Sequence, residues 1–243
     1  MSLESQIADL VSAANGLITV FSAKKSSIDA AVAAAIAAVP ANKKIFYVHQ
    51  LNGLDTNDGS ITAPLKTIDK ALANTPYGGI CAILLQADYL MSANVANLEG
   101  RFLELRSDDP ANRRFLRPIY YDVSGVTQLT AFPASGGNAL HFRDLKIELP
   151  SATGLTVTVI NNCLLRAGST TSSALFPVKM TDTTVTDVAG ATACIVSAGA
   201  SAIVLECIGV TFPASFGGRY ISGVASGAAP NTLANVMSNL SAL

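Results

Sequence analysis

A six-residue pattern recurs about every twenty residues through this 243-residue sequence, most clearly in its second half. The clearest copies are FRDLKI from Phe142, INNCLL from Ile160, MTDTTV from Met180 and LECIGV from Leu205. Each begins and ends on an apolar residue and carries a short polar or thiol residue third: Asp144, Asn162, Asp182 and Cys207. Weaker copies run backwards through YYDVSG from Tyr120, FLELRS from Phe102 and ILLQAD from Ile83. Repeats of this size predict a stacked solenoid, because one unit cannot bury its apolar face and stacking makes the core continuous.

Composition fits thin strands and tight corners. Half of the residues are hydrophobic, 14% are charged, 6% are aromatic and there is no Trp, the excess falling on Ala, Val, Ile, Leu, Ser, Thr and Gly. A net charge of −1 gives no basic face for nucleic acid or for an anionic membrane surface. The apolar stretches are broken by polar residues, so no membrane insertion is expected, and MSLESQIADL lacks the basic start and apolar block of a secretory signal. Synthesis and folding in a cytoplasm are therefore expected. Cys81, Cys163, Cys194 and Cys207 form no CxxC pair and have no adjacent His, so they are expected to pack as small buried hydrophobes with no bound metal.

The first forty residues are a different object. Ile7, Val11, Ala14, Ile18, Phe21, Lys25, Ile28, Val32, Ala35 and Val39 recur at alternating steps of four and three, and a second stripe (Leu3, Leu10, Leu17, Ala31, Ala38) lies beside them. Such a 3.5-residue period predicts a coiled coil, and an apolar face wider than one stripe suits three or more strands. The oligomerisation seam is accordingly read as Ile7, Val11, Ala14, Ile18, Phe21, Ile28, Val32 and Ala35, interrupted by Lys25 and stopped at Pro40. A single amphipathic helix packed along its own domain is the competing reading.

Residues 45–72 read as a strand from Ile45 to Val48, a loop rich in Asn, Asp and Gly, and a brief helix with Leu65, Ile68 and Leu72 on one face. Asp55, Asn57, Asp58 and Gly59 resemble part of a calcium loop, but the later Glu of an EF-hand is missing, and a turn held by side-chain to backbone hydrogen bonds is expected. After Pro230, the run NTLANVMSNLSAL predicts a short C-terminal capping helix with Asn231 as N-cap and Leu233, Val236, Met237 and Leu240 on one face. The expected organisation is therefore an N-terminal helix (1–40), an opening strand, loop and helix (41–80), repeats (81–215), and a C-terminal loop and helix (216–243).

The segment NGLDTNDGSITAPLKTIDKAL resembles the opening of right-handed parallel β-helix proteins, in which a strand and a Gly-Asp-Asn-rich loop lead into a Pro-aliphatic-Lys-Thr-Ile helix. The repeats, INNCLL above all, are similar to that family's rungs. A heptad helix ahead of such an opening is the arrangement of bacteriophage tail fibres and tailspikes. The resemblance implies a mainly β fold, a right-handed parallel β-helix, with an N-terminal coiled coil. It also implies a homotrimer, a place on the virion tail, and contacts with other tail, baseplate or fibre proteins and with host surface polysaccharide. This chain is shorter than enzymatic tailspikes and lacks their Trp.

Candidate chemistry is sparse. By the repeat register, Asp122, Asp144 and Asp182 line up at one corner with Asn162 between the last two, which places Asp144 and Asp182 about 10 Å apart, just beyond the spacing of an inverting glycosidase. A turn ladder satisfying backbone amides is the expected role of these residues. His49 and His141 have no nucleophile context and are read as surface residues on strands. The basic run ANRRFLRP offers Arg113, Arg114 and Arg117 as a candidate glycan or partner contact, the alternative being a solvated loop or intersubunit salt bridge. The sequence therefore predicts no catalytic, cofactor-binding or metal-binding residues. It favours a structural virion component, not an enzyme, linking a phage tail to host-surface attachment. The alternative is a glycan-active enzyme of the same fold, a polysaccharide depolymerase or deacetylase.

Overall fold

The computed structural model describes residues 2–134, 136–167, 174–197, 199 and 201–243, with the backbone alone over residues 37–41. The chain divides into two compact units, 1–42 and 43–243. The first is one helix, α1 (Leu3–Ala41). Ser2 caps it, its Oγ accepting from the amide of Ser5 at 3.3 Å. The abundant Ala favours a helix, and the helix ends one residue beyond Pro40. Every described side chain of α1 is exposed, the large apolar ones included: Ile7 53%, Ile18 62%, Phe21 65% and Ile28 60%. By length and average apolar content alone, the stretch Leu3–Ile36 is long enough to reach across a bilayer.

The second unit is mainly β. It runs β1 (Lys43–Val48), α2 (Ile68–Ala73), β2 (Ile80–Leu85), β3 (Tyr89–Met91), β4 (Phe102–Ser107) and β5 (Phe115–Pro118). A hairpin of β6 (Tyr120–Val123) and β7 (Val126–Leu129) follows, then β8 (Phe132–Pro133), β9 (Ala139–Arg143), β10 (Lys146–Leu149) and β11 (Cys163–Arg166). The last strands are β12 (Leu175–Thr181), β13 (Thr184–Asp187), β14 (Cys194–Val196), β15 (Ala202–Ile208) and β16 (Val236–Ser238).

Apart from the antiparallel β6–β7 hairpin, these strands form three parallel sheets. The main sheet has the order β1-β2-β4-β9-β12-β15-β16, the second β13-β10-β5-β3 and the third β14-β11-β8. From β4 onward the chain visits main, second and third sheet in that order and then returns beside its previous main strand. The order persists after β15, where Thr211 bridges to Thr184 on the second sheet and Ile221 to Val196 on the third. Each return sets the same face inward, because side chains alternate across a strand. Phe46, Ile83, Leu105, Phe142, Met180 and Cys207 are successive register partners and are all buried. Cys81, Leu103, Leu140, Val178 and Leu205 make the parallel inner column.

The opening segment behaves as its composition predicts. Asp55 accepts from the amides of Lys66 and Thr67 at 3.0 and 2.9 Å and from the Thr67 hydroxyl at 2.9 Å. Thr67 in turn caps α2 by accepting from the amide of Lys70. Asp58 accepts from the amide of Ser60, and Asn57 donates to the carbonyl of Pro64. The loop folds tightly onto β1, and a Cβ on Gly53 would meet the carbonyl oxygen of Leu65 at 2.2 Å. Leu65, Ile68 and Leu72 are fully buried, and α2 packs against β1 and β2.

Two expectations need correction. The register partners Phe46, Ile83, Leu105, Phe142, Met180 and Cys207 are separated by 37, 22, 37, 38 and 27 residues, so the twenty-residue sequence period is shorter than a full return to the main sheet. The copies at Ile83, Phe142 and Met180 are in register; that at Phe102 is displaced by three residues and that at Leu205 by two. The copy at Tyr120 lies on the hairpin, and that at Ile160 leads into the third sheet. The second correction is at the C-terminus, where there is no capping helix. Pro230–Thr232 is a single 3-10 turn, and Val236–Ser238 is β16, pairing in parallel with β15. Extended backbone wins there because Val236 completes an inner column with Ile203 and Phe176.

Candidate functional site

The acids expected at one corner are separated by the fold. Asp122 sits in the β6–β7 hairpin, where its Oδ1 accepts from the amide of Gly125, and Asn162 precedes β11. Only Asp144 and Asp182 share a corner, between the main and second sheets, where each directly follows one of the adjacent strands β9 and β12. Both hold left-handed backbone, φ 51° and 47°, and Gly209 continues the column at φ 63°. The amide of Asp144 donates to the carbonyl of Thr181, and that of Asp182 to the carbonyl of Ile208. Asp144 is nearly buried, with its Oδ2 accepting from Arg143 Nε at 3.1 Å, whereas Asp182 is exposed. The expected ladder of carboxylates satisfying backbone amides is therefore corrected: the backbone amides of Asp144 and Asp182 bond to the next pass, and what recurs is a left-handed corner that a short polar residue or glycine tolerates.

Two members of the basic run, Arg114 and Arg117, are engaged within the unit. Arg114 Nε donates to Asp108 at 3.0 Å. Arg117 bridges Asp88 at 2.7 Å and Glu148 at 2.8 Å, and its guanidinium lies 4.2 Å above the ring of Phe115. Burial pushes the Asp88 carboxyl up, but hydrogen bonds from the Phe115 amide and from Arg117 outweigh it and hold the group below its usual range. Arg113 is half-buried beside them.

The outer face of the main sheet carries an ordered polar column that the sequence period does not reveal. Glu104, His141, Lys179 and Glu206 are successive register partners. Lys179 pairs with Glu206 at 2.8 Å, and His141 Nε2 lies 3.0 Å from the Thr181 hydroxyl. Burial holds His141 below the ordinary imidazole range, with Glu104 acting in the opposite direction. His49, expected on a strand, instead directly follows β1 and accepts from the amide of Asn52 in a local turn. An apolar column runs beside the polar one through Ile80, Phe102, Ala139, Pro177, Val204 and Met237, and ends in a groove of about 490 Å³ between β15, β16 and Pro230. Its one carboxylate, Glu206, is the partner of Lys179.

Two further clusters escaped the sequence reading. Arg219 grips Asp187 with two nitrogens, at 2.6 and 2.9 Å, and stacks on Phe216 within a ring cluster of Phe212, Phe216 and Tyr220. Tyr120 donates to Asn162 Oδ1, and the Asn162 amide donates to Thr192, closing the hairpin over the start of the third sheet. Among the described residues, no three His, Cys, Asp or Glu side chains converge as a metal site. No known protein family, curated protein or solved structure matches this chain significantly.

Proposed function

We propose that this chain is a structural virion component, a trimeric phage tail fibre or tail spike linking the tail to host-surface attachment, with its second unit a right-handed parallel β-helix. The observation that carries the reading is the 39-residue helix α1, along which the whole seam from Ile7 to Ala35 is exposed. An exposed apolar face of that size calls for a partner of matching chemistry, and other copies of the same helix supply it. Charges favour a bundle in water over a bilayer span. Lys24, Lys25 and Asp29 interrupt the apolar run of the helix, and the charge-free stretch at residues 10–23 is 14 residues long. A span needs about 20.

The repeated passage through three parallel sheets supports the β-helix part of the reading. Against a glycan-active enzyme stands the state of the acids: Asp144 is held by Arg143, and Glu206 in the groove by Lys179. Light scattering on the full chain tests the proposal. A mass near three times 25.0 kDa is expected, falling when Ile18 and Ile28 are both changed to Asp. A monomer at micromolar concentration overturns it.

A further inference from the structure

The third sheet brings two cysteines face to face. Cys163 opens β11, Cys194 opens β14, and the parallel register makes them direct partners. Such partners stand about 4.8 Å apart at Cα, inside the span of about 4.4–6.8 Å over which natural disulfides close. Both are free thiols. Their surroundings are unequal, as a reacting pair requires. Cys163 is fully buried, and its Sγ donates to the carbonyl of Val159 at 3.2 Å. Cys194 is half-buried, two residues after exposed Thr192. Continuing the column through the Val196–Ile221 bridge places Arg219 beside Cys194, with its Nε on the carbonyl of Ala193 at 2.9 Å. The adjoining Cys163 thiol and the positive charge of Arg219 lower the Cys194 thiol against the opposing effect of burial, while Cys194 and burial raise Cys163.

We propose that Cys163 and Cys194 are a redox-modification site, closing a reversible disulfide that staples two successive passes of the chain when a peroxide oxidises them. The Cys194 thiolate attacks one oxygen of hydrogen peroxide, the O–O bond breaks, and the released hydroxide takes up a proton to leave as water. The sulfur of Cys163 then attacks the sulfur of the Cys194 sulfenic acid. The S–S bond forms, the S–O bond breaks, and the proton of Cys163 leaves with the hydroxide as a second water. Two thiols lose two electrons in all, and one peroxide becomes two waters. The other cysteines are internal controls. Cys81 and Cys207 lie on the main sheet with Leu103 and Met180 as register partners, and burial raises their thiols to about 11 and about 12.

The experiment exposes the full chain to hydrogen peroxide, quenches it, blocks residual thiols under denaturing conditions and maps the peptides by mass spectrometry. Two of the four thiols are expected to disappear, with one linked peptide pair joining Cys163 to Cys194 and full recovery on treatment with dithiothreitol. A Cys163→Ser variant should instead accumulate a dimedone-trappable sulfenic acid at Cys194. Four surviving thiols, a different pairing, or oxidation of Cys194 without the crosslink overturns the proposal. Because the wild-type crosslink is read directly, a misfolded variant leaves the test intact.

Discussion

Asp144 and Asp182 are register neighbours at one left-handed corner, each donating its amide to the next pass of the chain. The pair explains how consecutive passes leave the main sheet at one angle. Gly209 takes the same role one strand later, so the column reads Asp, Asp, Gly.

Substitution at that corner should show the backbone cost directly. Asp182→Val is expected to lose about 1–2 kcal/mol, because a β-branched side chain is poorly tolerated at positive φ, while Asp182→Asn stays near neutral. Gly209→Ala should also destabilise, its Cβ meeting Asp182 Oδ1 at 2.5 Å. Urea denaturation of the three variants checks the order.

Ser107 is a buried relay beneath the same corner. Its hydroxyl donates to the carbonyl of Asp144 at 2.6 Å and accepts from the amide of Arg114 at 2.7 Å. Ser107→Ala should cost about 1–3 kcal/mol by leaving both groups without that partner. A matching loss in denaturation midpoint is the expected result.

The Asp88–Arg117 pair predicts an acid-side dependence. Because the folded carboxyl sits below its ordinary value, its stabilisation is complete above that value and disappears as pH falls through the lower folded one. Comparing the wild type with Asp88→Asn by thermal unfolding should give a difference at neutral pH that vanishes in strong acid. At 48% side-chain exposure, the neutral-pH difference should be small.

Lys25 interrupts the seam of α1, so Lys25→Ile should tighten self-association. A lower dissociation constant by sedimentation equilibrium is expected, and a higher one would argue that Lys25 faces outward.

The last strand is a cover as well as a strand. Removing residues 236–243 would uncover the edge of β15 and the inner column at Ile203, and take away Leu243, whose amide and carbonyl both pair with the loop 227–228. The truncated chain is expected to aggregate at concentrations where the full chain stays dispersed, as turbidity would show.

Local physics was legible in the sequence. The helix of the first forty residues, the strand at Ile45–Val48, the Asp-rich turn and the buried trio Leu65, Ile68 and Leu72 each follow from patterns spanning a few residues. What only the tertiary structure decided is partnership. Phe142 and Met180, or Cys163 and Cys194, meet across 30 or more intervening residues. Short alternating strands look alike wherever they lie, so nothing local tells a main-sheet strand from a third-sheet one. Asn162 was misplaced for that reason, and Val236–Ser238 pairs as a strand although its spacing also fits a helix. Stacking decides both, because a parallel pair is stable only where the next pass continues the same buried column.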